Sequence, residues 1–306
     1  MNDKIIYNTL YRIILQERFL AGAEVFAALN EEKIPYAVHK GAVLSQVLYG
    51  APNVRISGDI DLLLSREHIA RIQDILKSNG FVQGRVVDNC IEPYSRTEKI
   101  YQASQSHQLA PFVKATTHKL CPFVEYDCNL DIFWGESQQH TDMNAFLSNT
   151  VECELFGIQI RKLTAEAEFI ALCMHHYKDL NSIYLLWTRG FDRSKLEEIA
   201  RYVINVPLHK DLLKSLCQKF GVTDYVCWCI HYANLLLPHF RLRELESNLI
   251  TPSAQMLFGC LGLNDAERKQ WQTPFEALCN GNTKEYMKDL LTETDRNKID
   301  INLQMM

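Results

Sequence analysis

The chain has 306 residues, 47% of them hydrophobic, enough for one large or two moderate domains with real cores. Its 32 Lys and Arg against 37 Asp and Glu leave a formal charge of -5, which excludes a global basic field for long nucleic acid or an anionic membrane. No apolar run reaches the roughly 18 residues of a membrane span, and MNDKIIYNTL carries Asp3 and lacks a signal-peptide core, so a cytoplasmic protein with no membrane partner is expected.

The ten cysteines fall at irregular spacings, and the nearest pair, Cys227 and Cys229, is one residue apart rather than in the CxxC spacing of zinc or redox sites. Reduced, mostly buried thiols follow from that pattern.

In chain order, residues 5 to 30 read as one helix with Leu10, Ile13, Ile14, Ala21, Val25 and Phe26 at spacings of three and four. Ile34 to Val38 reads as a short strand, followed by a helix that begins at Gly41 and stops at Gly50. Ile60 to Leu64 is the second strand. Ser65 is a good cap for a helix with Ile69, Ile72, Ile75 and Leu76 on one face, and Gly80 stands where a C′ glycine would. Residues 84 to 120 are polar, with weak strand signals at 85–87 and 110–113.

FVEYDCNLDIFW, residues 123 to 134, is strand-like again, with Asn129 offering a bend, and FGIQIRKL ends another strand near Leu163. From Thr164 the pattern turns helical, first in TAEAEFIALCMHHYKDL and then near 193–203, 207–220, 223–237 and 252–259. The expectation is an α+β fold: residues 1–163 as a mixed sheet with helices, and 164–306 as a helical domain.

RISGDIDLLLS holds the densest chemistry. Residues two apart on a strand share a face, so Asp59 and Asp61 point together while Ile60 faces the core. Paired carboxylates repel unless a cation neutralises them, and hard oxygen ligands favour Mg²⁺ or Mn²⁺. A metal of that kind works with a triphosphate, which needs its own cradle. Lys40-Gly41-Ala42 joins strand to helix, where backbone N–H groups and the helix dipole attract anions. Arg55 and the Ser57-Gly58 turn belong to the same candidate nucleoside triphosphate (NTP) site. For a third carboxylate Asp131 is the first choice. Glu125 and Asp127 are the alternatives, sharing its face if Asn129 does not bulge.

KGAVLSQVLYGAPNVRISGDIDLLLS, followed by the helix to Gly80 and by LDIFW, resembles the poorly characterised nucleotidyltransferase family of the DNA polymerase β-like superfamily. The resemblance implies Gly41 as the glycine motif, Asp59 and Asp61 as the metal-binding pair, and Asp131 as the third catalytic acid. SHQLAPF around His107 and ALCMHHYKD around His175 also look like segments of this family, and His175 and Lys178 become candidates for nucleotide or acceptor contact. Ala42 stands where many superfamily members carry Gly or Ser, which leaves phosphate contact to backbone N–H groups.

The function then expected is Mg²⁺-dependent transfer of a nucleoside monophosphate (NMP), with ATP as default donor, to a hydroxyl or phosphate of a small molecule or peptide. Alternatives are NMP transfer to a partner protein, and a nucleotide-binding scaffold without turnover.

Overall fold

The computed structural model describes residues 2–305, with the side chains of 2–6, 101, 104, 105, 304 and 305 excepted. The chain divides into two compact units, Met1–Glu168 and Phe169–Met306.

In the first unit the elements are α1 (Asn2–Ala21), α2 (Ala23–Glu31), β1 (Tyr36–His39), α3 (Gly41–Tyr49), β2 (Ile60–Leu64) and α4 (Ile69–Ser78). They continue with β3 (Val82–Val87), β4 (Cys90–Pro93), α5 (Arg96–Gln105), β5 (Phe112–Ala115), β6 (Phe123–Asn129), α6 (Met143–Leu147), β7 (Thr150–Leu155) and β8 (Ile158–Leu163). The eight strands form one mixed sheet in the order β4-β3-β5-β6-β2-β1-β8-β7. β2 runs antiparallel to β1 and parallel to β6, so the acidic strand lies inside the sheet.

Alternation sorts the two faces of that sheet. Ile60, Leu62 and Leu64 of β2 and Val124, Tyr126 and Cys128 of β6 enter one core with Leu15 and Phe19 of α1, Phe26 and Leu29 of α2, and Ile72 and Ile75 of α4. Each such side chain contributes roughly 1.5–3 kcal/mol on burial. The intervening residues of β2 and β6 must therefore face the other way. That sends Asp61, Asp127 and Asn129 to the same side.

The helix expected over 5 to 30 is broken at Gly22 into α1 and α2. A Cβ there would lie 1.9 Å from the Tyr126 hydroxyl, so the glycine lets the helix pair close onto β6. Elsewhere the local signals hold: Gly50 caps α3 at φ +72, and Gly80 follows α4 at φ +82. Ser65 caps a short 3₁₀ turn, Arg66–His68, ahead of α4. The 7-8 hairpin turns through Phe156 and Gly157, both at positive φ, a two-residue geometry suited to the strand twist.

α7 (Ala165–Asn181) leads into the second unit, which contains α8 (Ile183–Arg189), α9 (Arg193–Asn205), α10 (Lys210–Lys219), α11 (Thr223–Leu236), α12 (Phe240–Leu249) and α13 (Pro252–Leu257). A two-stranded hairpin, β9 (Cys260–Leu261) with β10 (Lys269–Gln270), precedes α14 (Phe275–Asn280), α15 (Thr283–Met287) and α16 (Glu293–Met305). α11 is buried nearly all round, at Val226, Cys227, Trp228, Cys229 and Ile230, and packs on α9, α12 and α13. Its cysteines are core residues: the Cys229 thiol donates to Cys173 O at 3.3 Å, and burial pushes the Cys227 thiol up to about 12.

Candidate active site

The pair Asp59 and Asp61 sits where the loop from α3 enters β2, and the register sets Asp61 opposite Asp127 on the parallel strand β6. Asp59, Asp61 and Asp127 each present a carboxylate oxygen within 4.8 Å of the others, the one such group of three potential metal ligands among the described residues. Three hard anionic donors at this spacing fit a divalent cation such as Mg²⁺ or Mn²⁺.

The electrostatics agree with that chemistry. Burial, then repulsion from Asp59, Asp61 and Glu125, raises the Asp127 carboxyl to about 7, against the opposing pull of Lys40. Glu125 is raised too, by burial and then by Asp59, with Arg18 opposing. Acids crowded in this way are stabilised by added positive charge.

Part of that charge comes from the chain itself. Lys40 occupies the left-handed region at φ +56, an uncommon place for a residue with a side chain. Its Nζ lies 2.8 Å from Asp61 Oδ1, and both side chains are buried. Gly41 follows at φ +45 and opens α3, and a Cβ on it would sit 3.3 Å from Ser57 Oγ. The close approach of this turn to the loop before β2 therefore depends on glycine. The first N–H groups of α3 have no intrahelical acceptor and form the candidate anion cradle, with Ala42 in its first turn.

The loop carrying Arg55, Ser57 and Gly58 is held from both sides. Ser45 of α3 accepts from Val54 N–H at 3.1 Å and Arg55 N–H at 2.9 Å and donates to Ala51 O at 2.7 Å. From α1, the Tyr11 hydroxyl donates to Ser57 O at 3.0 Å, and Arg18 donates to the same carbonyl. Ser57 Oγ in turn donates to Asp59 Oδ1 at 2.9 Å, fixing one of the three carboxylates. Behind β1, the buried His39 Nδ1 lies 3.0 Å from Glu168 Oε1.

Asp131, the first choice from sequence for the third acid, is not in the carboxylate group. β6 ends at Asn129, and Leu130 N–H is drawn to His107 O at 2.7 Å, so the alternation that would align Asp131 with Asp127 stops. The Asp131 carboxylate instead accepts from Phe133 N–H at 3.0 Å and Thr141 N–H at 3.2 Å and meets His140 Nδ1 at 3.2 Å. Asn129 takes the inward place, its Nδ2 donating to Asp61 Oδ1 at 3.4 Å.

His175 and Lys178 stand on α7 in a charged cluster around Asp179: His175 Nε2 at 3.4 Å, Lys178 Nζ at 3.8 Å and Lys195 Nζ at 2.8 Å. Burial alone would raise Asp179, but Lys178 and Lys195 hold it below the usual carboxylate range. His176 is wholly buried against Glu198 at 3.0 Å, and burial lowers its imidazole despite that partner.

A family described as "Uncharacterised nucleotidyltransferase" matches residues 16–238, which is most of the chain. The chain belongs to that family. In this nucleotidyltransferase the match takes in the glycine turn, all three clustered acids and the helices through α11. No curated protein matches it. Among solved structures it is similar to an antigenic nucleotidyltransferase-like protein from Paracoccidioides brasiliensis, at 16% identity and a TM-score of 0.46, over 81% of this chain and 95% of that one. No described helix of this nucleotidyltransferase is long and apolar enough to cross a membrane.

Tyr11, Arg18 and Ser45 are support residues that local pattern does not reveal. Each acts on a loop brought near by the fold, Tyr11 and Arg18 across 46 and 39 residues of chain.

Proposed function

We propose that this nucleotidyltransferase moves an NMP from an NTP, ATP by default, to a hydroxyl or phosphate oxygen of a small molecule or peptide in the cytoplasm. The observation that carries the reading is the trio Asp59, Asp61 and Asp127, with carboxylate oxygens within 4.8 Å of one another on the sheet face beside the Gly41 turn.

These three residues would hold the divalent cation, Mg²⁺ or Mn²⁺. When bound, it supplies charge neutralisation on the triphosphate and polarises the phosphorus under attack. The α3 N-terminus at Gly41 and Ala42 receives the phosphates, with Lys40 and Arg55 as nearby positive charge and the Ser57-Gly58 turn lining the approach. Ser57 keeps Asp59 in place through its hydrogen bond. The attacking oxygen forms a bond to the α-phosphorus as the bond to pyrophosphate breaks, and its proton passes to an Asp127 carboxylate oxygen. Most of the rate in such a transfer comes from positioning and electrostatic stabilisation. The helical region from 164 to 306, with His175 and Lys178, serves nucleotide or acceptor binding in this reading. The net charge of -5 favours a small acceptor over a long nucleic acid.

Calorimetric titration of each NTP, with and without Mg²⁺, tests this on the wild type, Asp59→Asn and Asp61→Asn. The expected result is metal-dependent binding of one NTP to the wild type alone. Binding that ignores both metal and substitution would replace the enzyme reading with that of a nucleotide-binding scaffold.

A further inference from the structure

Glu168 stands in the first turn of α7, where an acid ordinarily faces solvent and complements the helix dipole. Here it turns inward and is only 2% exposed. Its Oε1 lies 3.0 Å from Nδ1 of the likewise buried His39 and accepts from the backbone N–H of Lys40 at 3.5 Å. Its Oε2 is buried with no hydrogen-bond partner among the described residues. A carboxylate oxygen left in that condition costs stability, so packing alone does not account for an acid at this position.

The residue it holds is itself strained. Lys40 has φ +56 and ψ -145, away from the left-handed helical well and close to backbone space that glycine nearly alone visits. Such a conformation persists only where the surroundings over-determine it. Each polar group of Lys40 is engaged: the N–H by Glu168, the carbonyl oxygen by Leu44 N–H at 2.9 Å, and Nζ by Asp61 Oδ1 at 2.8 Å. Glu168 fixes the peptide plane before Lys40 and Leu44 fixes the plane after it, so together they set φ and ψ. With Glu168 withdrawn, the first plane is free to turn. Lys40 can then return to negative φ, carrying Gly41 and the start of α3 with it.

We infer that Glu168 is a positioning residue of the nucleotide site: by holding the Lys40 N–H it keeps the strained turn that aims the α3 N-terminus at the triphosphate and Lys40 Nζ at Asp61. The inference rests on the reading of the Gly41 turn as the phosphate cradle. Glu168 acts through Lys40 and not by contact with the nucleotide. What the turn needs is an acceptor at the reach of a glutamate side chain. The negative charge is secondary, because an amide oxygen accepts from the Lys40 N–H as a carboxylate does, and the amide nitrogen takes the place of the unpartnered Oε2. An aspartate keeps the charge but draws the acceptor back by one methylene, roughly 1.5 Å. A contact already 3.5 Å long does not survive that retreat.

Glu168→Asp and Glu168→Gln in the full chain separate reach from charge. Hydrogen exchange of the Lys40 and Leu44 amides, read by NMR without nucleotide, follows the turn itself, and calorimetry with Mg²⁺ follows the NTP that the wild type binds. In Glu168→Asp these amides are expected to exchange at least about ten-fold faster, with those of β2 and β6 within about two-fold of wild type, and the NTP to bind at least about ten-fold more weakly. Glu168→Gln is expected to stay within about three-fold of wild type in both readouts. Glu168→Ala, which removes the acceptor outright, carries the same expectations as Glu168→Asp and serves where that variant does not fold. Unchanged exchange in Glu168→Asp, a rise spread equally through β2 and β6, an unchanged NTP affinity beside a loosened turn, or a Glu168→Gln as weak as Glu168→Asp overturns the assignment. A wild type that binds no NTP refutes the proposed function separately, and exchange then decides by itself whether Glu168 holds the turn.

Discussion

Asp127→Asn and Asp131→Asn separate two acids that look interchangeable on an alternating strand. Asp127 titrates near 7 in the folded protein rather than at its ordinary 3.8, because it is buried among Asp59, Asp61 and Glu125. The folded state therefore holds this proton more tightly than the unfolded chain, and stability falls as pH rises from about 4 through 7. Above 7, without metal, the ionised carboxylate costs the fold at most about 4 kcal/mol. A neutral amide removes that cost. Asp127→Asn in EDTA is expected to be more stable than wild type at pH 8, by about 1–4 kcal/mol, with the difference shrinking as pH falls and nearly gone at about pH 4. Asp131→Asn is expected to lose about 1–3 kcal/mol, since it weakens a carboxylate that accepts from Phe133, Thr141 and His140. Urea denaturation followed by tryptophan fluorescence reads the stabilities, and calorimetry reads Mg²⁺ binding, which Asp127→Asn should lose and Asp131→Asn should keep. A destabilised Asp127→Asn at pH 8, or loss of Mg²⁺ binding through Asp131 instead, would refute the carboxylate assignment.

Lys40→Met leaves Asp61 buried without the cation now 2.8 Å away, so stability in EDTA should drop by about 3–5 kcal/mol, with Mg²⁺ restoring part of it; equal urea midpoints in EDTA would contradict the pairing. Gly41→Ala forces a side chain onto a φ of +45 and against Ser57, and should cost about 1 kcal/mol in stability and more than ten-fold in NTP affinity by calorimetry. Because Asp127 is protonated below about 7, Mg²⁺ affinity should weaken by up to about ten-fold per pH unit below that point and level off above it; a flat profile from pH 5 to 8 would rule out Asp127 as a ligand.

The local code of the site was legible because its causes are local. Asp59 and Asp61 flank Ile60 at the mouth of a strand whose other face is apolar, and period-two geometry carried one residue ahead of β2 aims them together. Gly41 and Gly50 bound α3 through backbone conformations that glycine favours, so the candidate phosphate turn and the end of its helix appear in the sequence as punctuation. Family membership, too, rests on residues 16–238 of the sequence itself.

What only the tertiary structure decided depends on pairing between distant segments. Asp127, Asn129 and Asp131 share one alternating pattern, and nothing within that stretch says where the strand stops. The end is set by His107, which captures Leu130 N–H, and by the register that places Asp61 opposite Asp127. Gly22 looked like an ordinary residue in a long helix until Tyr126, 104 positions away by numbering, proved to fill the space beside it. The grip of Tyr11 and Arg18 on Ser57 has the same origin. Side-chain periodicity and turn chemistry act over a few residues and can be read from the chain. Strand register and close packing are settled by contacts that exist only once the sheet has formed.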